Sequence, residues 1–201
     1  MANVKAVHTI GNSIISFLRR SFENGGKAEI GVNSCTFDLL SSSDLSEEDA
    51  GLSKPAISLY LYRVTMNEHL RSRARPWGVF QGEVPLSLDL HYLLTIWADK
   101  PENEHNLLAW SMQQLYLHPI LDTSLIGDEA SWESGDSIQI VPAELSTEDI
   151  MRVWDAFRLS YRLSVTYIAR VVRLDRESGP DNLPVVASRF TYSNMEDPPR
   201  S

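Results

Sequence analysis

Two side chains near the middle of the chain have the types and spacing that suit acid–base chemistry. Asp89 and His91 lie two positions apart in a segment whose apolar residues alternate, and this spacing on a β-strand points both side chains to the same face. A carboxylate beside an imidazole can orient it as a general base, so the pair is compatible with a small hydrolase or a metal-dependent enzyme. No nucleophile or third ligand stands at an informative spacing. We therefore favour a polar strand face or an interface contact.

Other patterns that suggest chemistry are weak. Glu102 and His105 are three residues apart on a predicted helix and could share a metal ion, although such pairs are more often part of an exposed helix surface. Residues 25–27, Gly-Gly-Lys, lack the rest of a phosphate-binding loop, and the signatures of dinucleotide binding, zinc proteolysis and serine hydrolysis are missing. Cys35 is expected to be a small buried hydrophobe. We expect no catalytic residue, no cofactor and no metal.

Three arginines, Arg71, Arg73 and Arg75, precede Trp77 and form the only local basic cluster of the sequence. Arginine planes and aromatic rings suit phosphates and bases, which leaves a nucleic-acid contact open. The whole chain, however, has 18 basic and 27 acidic residues, for a net charge of −9. Because that charge opposes phosphate binding, a contact with a protein partner is the favoured interpretation.

The hydrophobic pattern predicts the elements that position these residues. The first half begins with a helix over 3–22 that ends at Asn24-Gly25-Gly26, followed by an extended region over 29–40 and an acidic loop over 41–53. A strand over 55–64, a loop over 66–84 and a long strand from Pro85 come next. The second half has a helix from Pro101 to His118-Pro119, a loop over 121–135, a short strand over 136–141, a helix that begins after Ser146, and a strand over 161–171. Regular strand–helix alternation is missing. The order therefore predicts an α/β (α+β) fold with a mixed or antiparallel sheet flanked by helices.

The length of 201 residues suits one domain with an arm. We expect a domain over residues 1–178 and an extended C-terminal arm over 179–201, since a turn-forming run at 178–182 precedes an apolar stretch over 183–192. That stretch is too apolar to remain fully solvated and is predicted to add to a sheet edge, either of its own subunit or of a neighbour. The N-terminus lacks a secretory pattern, and no apolar run reaches the roughly 18 residues of a membrane span. Both observations predict a cytoplasmic protein.

Three stretches of the sequence resemble a known family. They are residues 61–73, LYRVTMNEHLRSR; residues 85–121, which include the strand run LDLHYLLT at 88–95 and the helix that ends at His118-Pro119; and residues 145–175, with the strand start YRLSV at 161–165. The chain is similar in these stretches to the end-cap, or tail-terminator, family of phage-tail-like contractile injection systems. That family is known through the N-terminal domain of the Photorhabdus virulence cassette cap protein.

The resemblance implies a structural protein with a fold akin to phage tail terminators and no enzymatic activity. It implies a ring, six copies by expectation, that sits on the baseplate-distal end of the tube and sheath and stops their polymerisation. Its partners would be further copies of itself and the terminal tube and sheath subunits, with no nucleic acid and no membrane insertion. Assembly would take place in a bacterial cytoplasm, and the particle would be released or anchored.

The resemblance and the arginine and aromatic residues in predicted loops together suggest a protein interface, because these residue types are enriched at such surfaces. The residues expected there are Arg63, Asn67, Arg71, Arg73, Arg75, Trp77, Arg162, Val185, Phe190 and Tyr192.

Overall fold

The computed structural model describes residues 4–46, 48–67, 86–122, 132 and 137–174. Within them one six-stranded sheet has the order β1-β2-β3-β6-β5-β4. Its strands are β1 Thr36–Leu40, β2 Ala56–Met66, β3 Leu86–Trp97, β4 Ile120–Asp122, β5 Ser137–Ala143 and β6 Ser164–Leu174. The pair β1 and β2 is parallel, and the other neighbouring pairs are antiparallel. The mixed α+β sheet predicted from the sequence is therefore confirmed.

In the described part of the chain four α-helices accompany the sheet: α1 Ala6–Ser21, α2 Lys27–Ile30, α3 Pro101–Leu117 and α4 Thr147–Phe157. The start of α4 is confirmed, because the Ser146 hydroxyl accepts a hydrogen bond of 3.1 Å from the Asp149 backbone N–H. Pro101 occupies the first turn of α3, where its missing N–H costs nothing.

The prediction that the first helix ends at Asn24-Gly25-Gly26 is confirmed, because the backbone at Gly25 is not helical and kinks the chain there. The sequence did not predict the short second helix α2, which follows the kink and ends at Gly31 with a left-handed φ of 76°. The extended region consequently begins only at Thr36, not at residue 29. Tertiary packing explains the difference, since Phe22 is fully buried and its ring lies 5.8 Å from that of Trp110.

Two further boundaries differ from the prediction. Residues 120–122, partly assigned to a loop, form β4 because Ile120 to Asp122 pair with β5. The last strand begins at Ser164 rather than at residue 161. The predicted loop over 66–84 and the tail over 183–192 lie outside the described residues, apart from residues 66 and 67.

The first face of the sheet carries the larger core, under α1 and α3. The alternating side chains of β3 point into it and pack with the apolar stripe of α1. Tyr92 also donates a hydrogen bond of 3.3 Å from its hydroxyl to the Val7 carbonyl. The side chains that the long strand and α1 contribute to this core are Leu88, Leu90, Tyr92, Leu94, Ile96, Ile10, Ile14 and Leu18.

The second face carries a smaller core under α4. Trp97 at the end of β3 and Trp154 of α4 meet with ring centroids 6.0 Å apart, and both are at most 2% exposed. Phe157 packs edge-on against Tyr60 of β2 at 5.3 Å. This core occupies the end of the sheet where β3 finishes. The opposite end of the same face, where β3 begins, carries polar side chains instead.

Candidate protein interface

Two irregularities shape the second face where β3 begins. Tyr62 is an extra residue in β2, because Leu61 pairs with Tyr92 while Arg63 pairs with His91. β6 likewise has one extra residue at positions 170–171, opposite Asp89. Such bulges sharpen the local twist and redirect side chains. They bring the polar residues of three strands into one group, which we call the polar ladder: Arg63, Thr65, Asn67, Asp89, His91 and Arg170.

Asp89 and His91 each contact a residue at the end of β2 or just after it. The Nε2 atom of His91 lies 2.9 Å from the Thr65 hydroxyl. The Asn67 side-chain amide donates to both Asp89 carboxylate oxygens, at 3.2 and 3.3 Å. These are diagonal cross-strand contacts that fix the strand pair. Both side chains thus join β3 to the chain at the end of β2.

The surroundings of His91 favour its neutral form. Partial burial lowers its pKa below the ordinary 6.5, Arg63 and Arg170 lower it further, and Asp89 opposes them. The ring also packs edge-on against Tyr62, with centroids 6.0 Å apart. His91 is thus an uncharged member of the ladder at neutral pH, set between two cations.

Arg63 and Arg170 are the exposed cations of the ladder. Among the residues that the structure describes, neither has an ion-pair partner. They lie on β2 and β6, on either side of β3, so two guanidinium groups flank the same stretch of sheet. Guanidinium groups bind carboxylates with planar, two-pronged geometry, and an open pair of this kind suits an acidic protein surface.

The structure brings only two of the ten expected interface residues together. Arg63 and Asn67 lie in the polar ladder, whereas Arg162 lies over the Trp97 ring at 5.7 Å, beside the smaller core. A cation over an indole face is stabilising in itself, which gives Arg162 a structural role. The remaining seven expected residues, Arg71, Arg73, Arg75, Trp77, Val185, Phe190 and Tyr192, are outside the described part of the chain.

Sequence reasoning missed Thr65 and Arg170, since it gave neither residue a place in the interface. It also missed three exposed apolar side chains at the same end of the sheet but on its first face. Val64, Met66 and Leu86 are 47%, 66% and 44% exposed there. The alternation along β2 and β3 indicates that these residues share one face of the sheet, but it does not show which of them stay exposed.

Cys35, Glu102 and His105 are the other residues that the sequence singled out for possible chemistry. Burial raises the pKa of Cys35 to about 12, so its thiol remains protonated. Glu102 and His105 lie in the first turns of α3, and no group of three or more metal-ligating side chains occurs in the described ranges. Nor does any helix in the described part of the chain have the length and apolar character needed to cross a membrane.

The chain is similar to two solved structures. One is described as the sheath/tube terminator in the extended state of an extracellular contractile injection system, PVC; it has a TM-score of 0.58 and 22% identity, over 96% of this chain and 65% of that one. A second, the tube-terminating cap of the anti-feeding prophage, has a TM-score of 0.47 and 16% identity, over 87% of this chain and 60% of that one. The chain therefore spans less than two thirds of either. No curated protein matches it significantly.

The sheet and its helices thus define a protein with the fold of a sheath/tube terminator. The family described as the Pvc16 N-terminal domain matches residues 9–188. The chain belongs to this family, and the resemblance drawn from its sequence is confirmed.

Proposed function

We propose that this protein is a cap that closes the end of the tube and sheath of a contractile injection particle and stops further addition of subunits. The observation that carries the proposal is membership of the Pvc16 N-terminal domain family over residues 9–188. The fold supports it, because the chain shares it with a sheath/tube terminator over 96% of its length.

The cap is a ring of six copies assembled in the bacterial cytoplasm. A terminator that closes a rotationally symmetric tube has to match the symmetry of the tube end, and closed rings are the usual result of repeated head-to-tail contacts. Averaging of particle ends, or the mass of the assembled cap, tests the copy number. Six subunits around the axis are expected, and a single copy per particle end contradicts a ring.

The interface with neighbouring copies or with tube and sheath includes the polar ladder and the basic segment at residues 71–77. The ladder supports this assignment because it combines exposed guanidinium groups with polar side chains that are already fixed by Thr65 and Asn67. Reversing Arg71, Arg73 and Arg75 to Glu is expected to lower the yield of capped particles without loss of the subunit fold. An unchanged yield contradicts a role for that segment.

The protein acts without catalysis. The one acid–base pair that the sequence offered, Asp89 and His91, is engaged with Asn67 and Thr65, and the neutral His91 lies between two arginines. These contacts support a structural role for both residues.

A further inference from the structure

One side of β2 is only partly covered by its neighbour in the sheet. β1 pairs with residues 56–60 of β2, and no strand in the described ranges lies alongside residues 61–66 on that side. We call residues 61–66 the open edge; on their other side all but Tyr62 pair with β3. Unpaired backbone N–H and C=O groups of a strand form a template for a further strand. The open edge is therefore a site for one more strand of ordinary length.

An apolar patch adjoins the open edge on the first face of the sheet. Its members are the exposed side chains of Val64 and Met66 on the open edge and of Leu86 at the start of β3. Leu88 and Leu90, which pair with Met66 and Val64, are buried. The exposed apolar surface thus lies on the side of β2 that lacks a neighbouring strand, where an added strand would remove it from water.

The last described strand ends beside this patch. Leu174, the last residue of β6, pairs with Leu86, and β6 runs parallel to β2 because both are antiparallel to β3. Eight residues, 175–182, then precede the apolar segment 183–192. Eight extended residues span at most about 26–29 Å, whereas three strand spacings of about 14 Å separate β6 from a strand added beside β2. The segment can therefore reach the open edge of its own subunit.

The two outer strands of the sheet are poorer acceptors for this segment. In β1 the Phe37 carbonyl already accepts a hydrogen bond from the Arg19 guanidinium, which occupies one acceptor of that strand. β4 is only three residues long, Ile120–Asp122. The open edge of β2 offers twice that length together with the apolar patch.

We propose that the segment 183–192 adds to the open edge of β2 in its own subunit, antiparallel to β2, and covers Val64 and Met66. The order segment-β2-β3-β6 is then antiparallel throughout, with the last strand of the chain beside the first of the three, which is the Greek key arrangement. The strand closes an edge that would otherwise pair with other chains. It forms whether or not the subunit joins a ring, and it leaves the polar ladder on the second face accessible to partners. The apolar side chains that the segment supplies are Leu183, Val185, Val186, Phe190 and Tyr192.

Disulfide cross-linking of the full chain identifies what lies along the open edge. An antiparallel strand brings the start of the segment next to the end of β2. Met66→Cys is therefore combined in turn with Pro184→Cys, Val185→Cys and Val186→Cys, in a Cys35→Ser background. The matched control pairs each of these three substitutions with Leu117→Cys, an exposed position at the end of α3 just before β4.

A cross-link within one chain is expected for at least one Met66→Cys pair and for none of the controls, with monomer mobility on a non-reducing gel. A cross-linked dimer overturns the proposal, because the segment then pairs with a neighbouring copy. Cross-linking of the Leu117→Cys controls overturns it as well, since the segment then lies near β4. The absence of any cross-link from Met66→Cys has the same meaning.

Hydrogen exchange of the full chain is the second test. Val185→Asp with Val186→Asp is expected to speed exchange at least tenfold for those amides of residues 61–66 that face away from β3. Amides of residues 56–60, which lie beside β1, are expected to stay unchanged. Val4→Asp with Met151→Asp, at two exposed positions, adds the same charge and should alter neither set. Equal exchange at the open edge in the unmodified chain and the first variant overturns the proposal. Thermal unfolding reports whether each variant folds, and if the first does not, the cross-linking result decides.

Discussion

The Nε2 atom of His91 lies 2.9 Å from the Thr65 hydroxyl, across the boundary between β3 and β2. This contact assigns the imidazole to the pairing of two long strands. The neighbouring Asp89 accepts hydrogen bonds from the Asn67 amide in the same diagonal arrangement. Both members of the acid–base pair predicted from the sequence therefore contact residues of the neighbouring chain segment.

Replacing Asp89 or His91 with Ala is expected to reduce capping only as far as it reduces folding or assembly. A catalytic pair behaves differently, since its removal abolishes function and leaves the particle intact. Capping yield, subunit stability and particle integrity are to be measured for both single variants and the double variant. Intact, capped particles that have lost their function would overturn the structural role.

The lowered pKa of His91 predicts a pH dependence of stability. The unfolded chain takes up a proton near the ordinary pKa of 6.5, whereas the folded chain does so only at lower pH. Stability is therefore fully present above about pH 6.5 and falls as the pH drops towards the folded pKa. Denaturant unfolding at several pH values should show this slope, and His91→Gln should reduce it. An equal slope in both proteins contradicts the assignment.

Trp154→Ala is expected to destabilise the protein by about 3–5 kcal/mol, because it removes a large buried side chain from the smaller core. Trp154 is 2% exposed and contacts Trp97. Met151→Ala on the same helix is the matched control, since Met151 is 40% exposed and its loss should cost far less. Urea unfolding measures both. Equal destabilisation by the two substitutions would show that α4 does not bury the tryptophan.

Gly26→Ala is expected to destabilise by about 1–3 kcal/mol through overpacking. A Cβ atom at position 26 would lie 2.8 Å from Cζ2 of Trp110, and an indole ring cannot bend away as a flexible chain end does. Gly25→Ala is the control, because nothing lies within 4 Å of a Cβ atom there. A Gly26→Ala protein as stable as its Gly25→Ala counterpart would contradict the close approach of Gly26 to Trp110 of α3.

Most of the helices and strands could be predicted because each has its own local signal. The alternation over residues 86–96 predicts β3, and the apolar character of both faces over 55–64 predicts the interior position of β2, which lies between β1 and β3. Pro101 and Ser146 mark the starts of α3 and α4.

The polar ladder could not be predicted in the same way. It depends on the extra residue Tyr62, the bulge beside Arg170 and the pairing of β3 with β6, which are relations between distant segments. The glycines at positions 25 and 26 did predict the break in the first helix, whereas the short helix α2 that follows it was missed.

The segment 183–192 remains predicted to add to a sheet edge, either as an ordinary edge strand of its own subunit or as an arm that pairs with a neighbouring copy. Truncation after Gly179 separates the two. An arm between subunits requires a folded, soluble monomer that no longer forms rings or caps. Caps on tubes of normal length after truncation contradict the arm, as does a truncated chain that unfolds.

The measurement that tests the proposed function most directly is the length of particles assembled with and without this protein, with their ends imaged. A cap that stops polymerisation predicts tubes and sheaths of uniform length that end in a ring, and lengths that become irregular when the protein is left out. Particles of the same uniform length with the protein absent, or ends that carry no added density when it is present, would contradict the account.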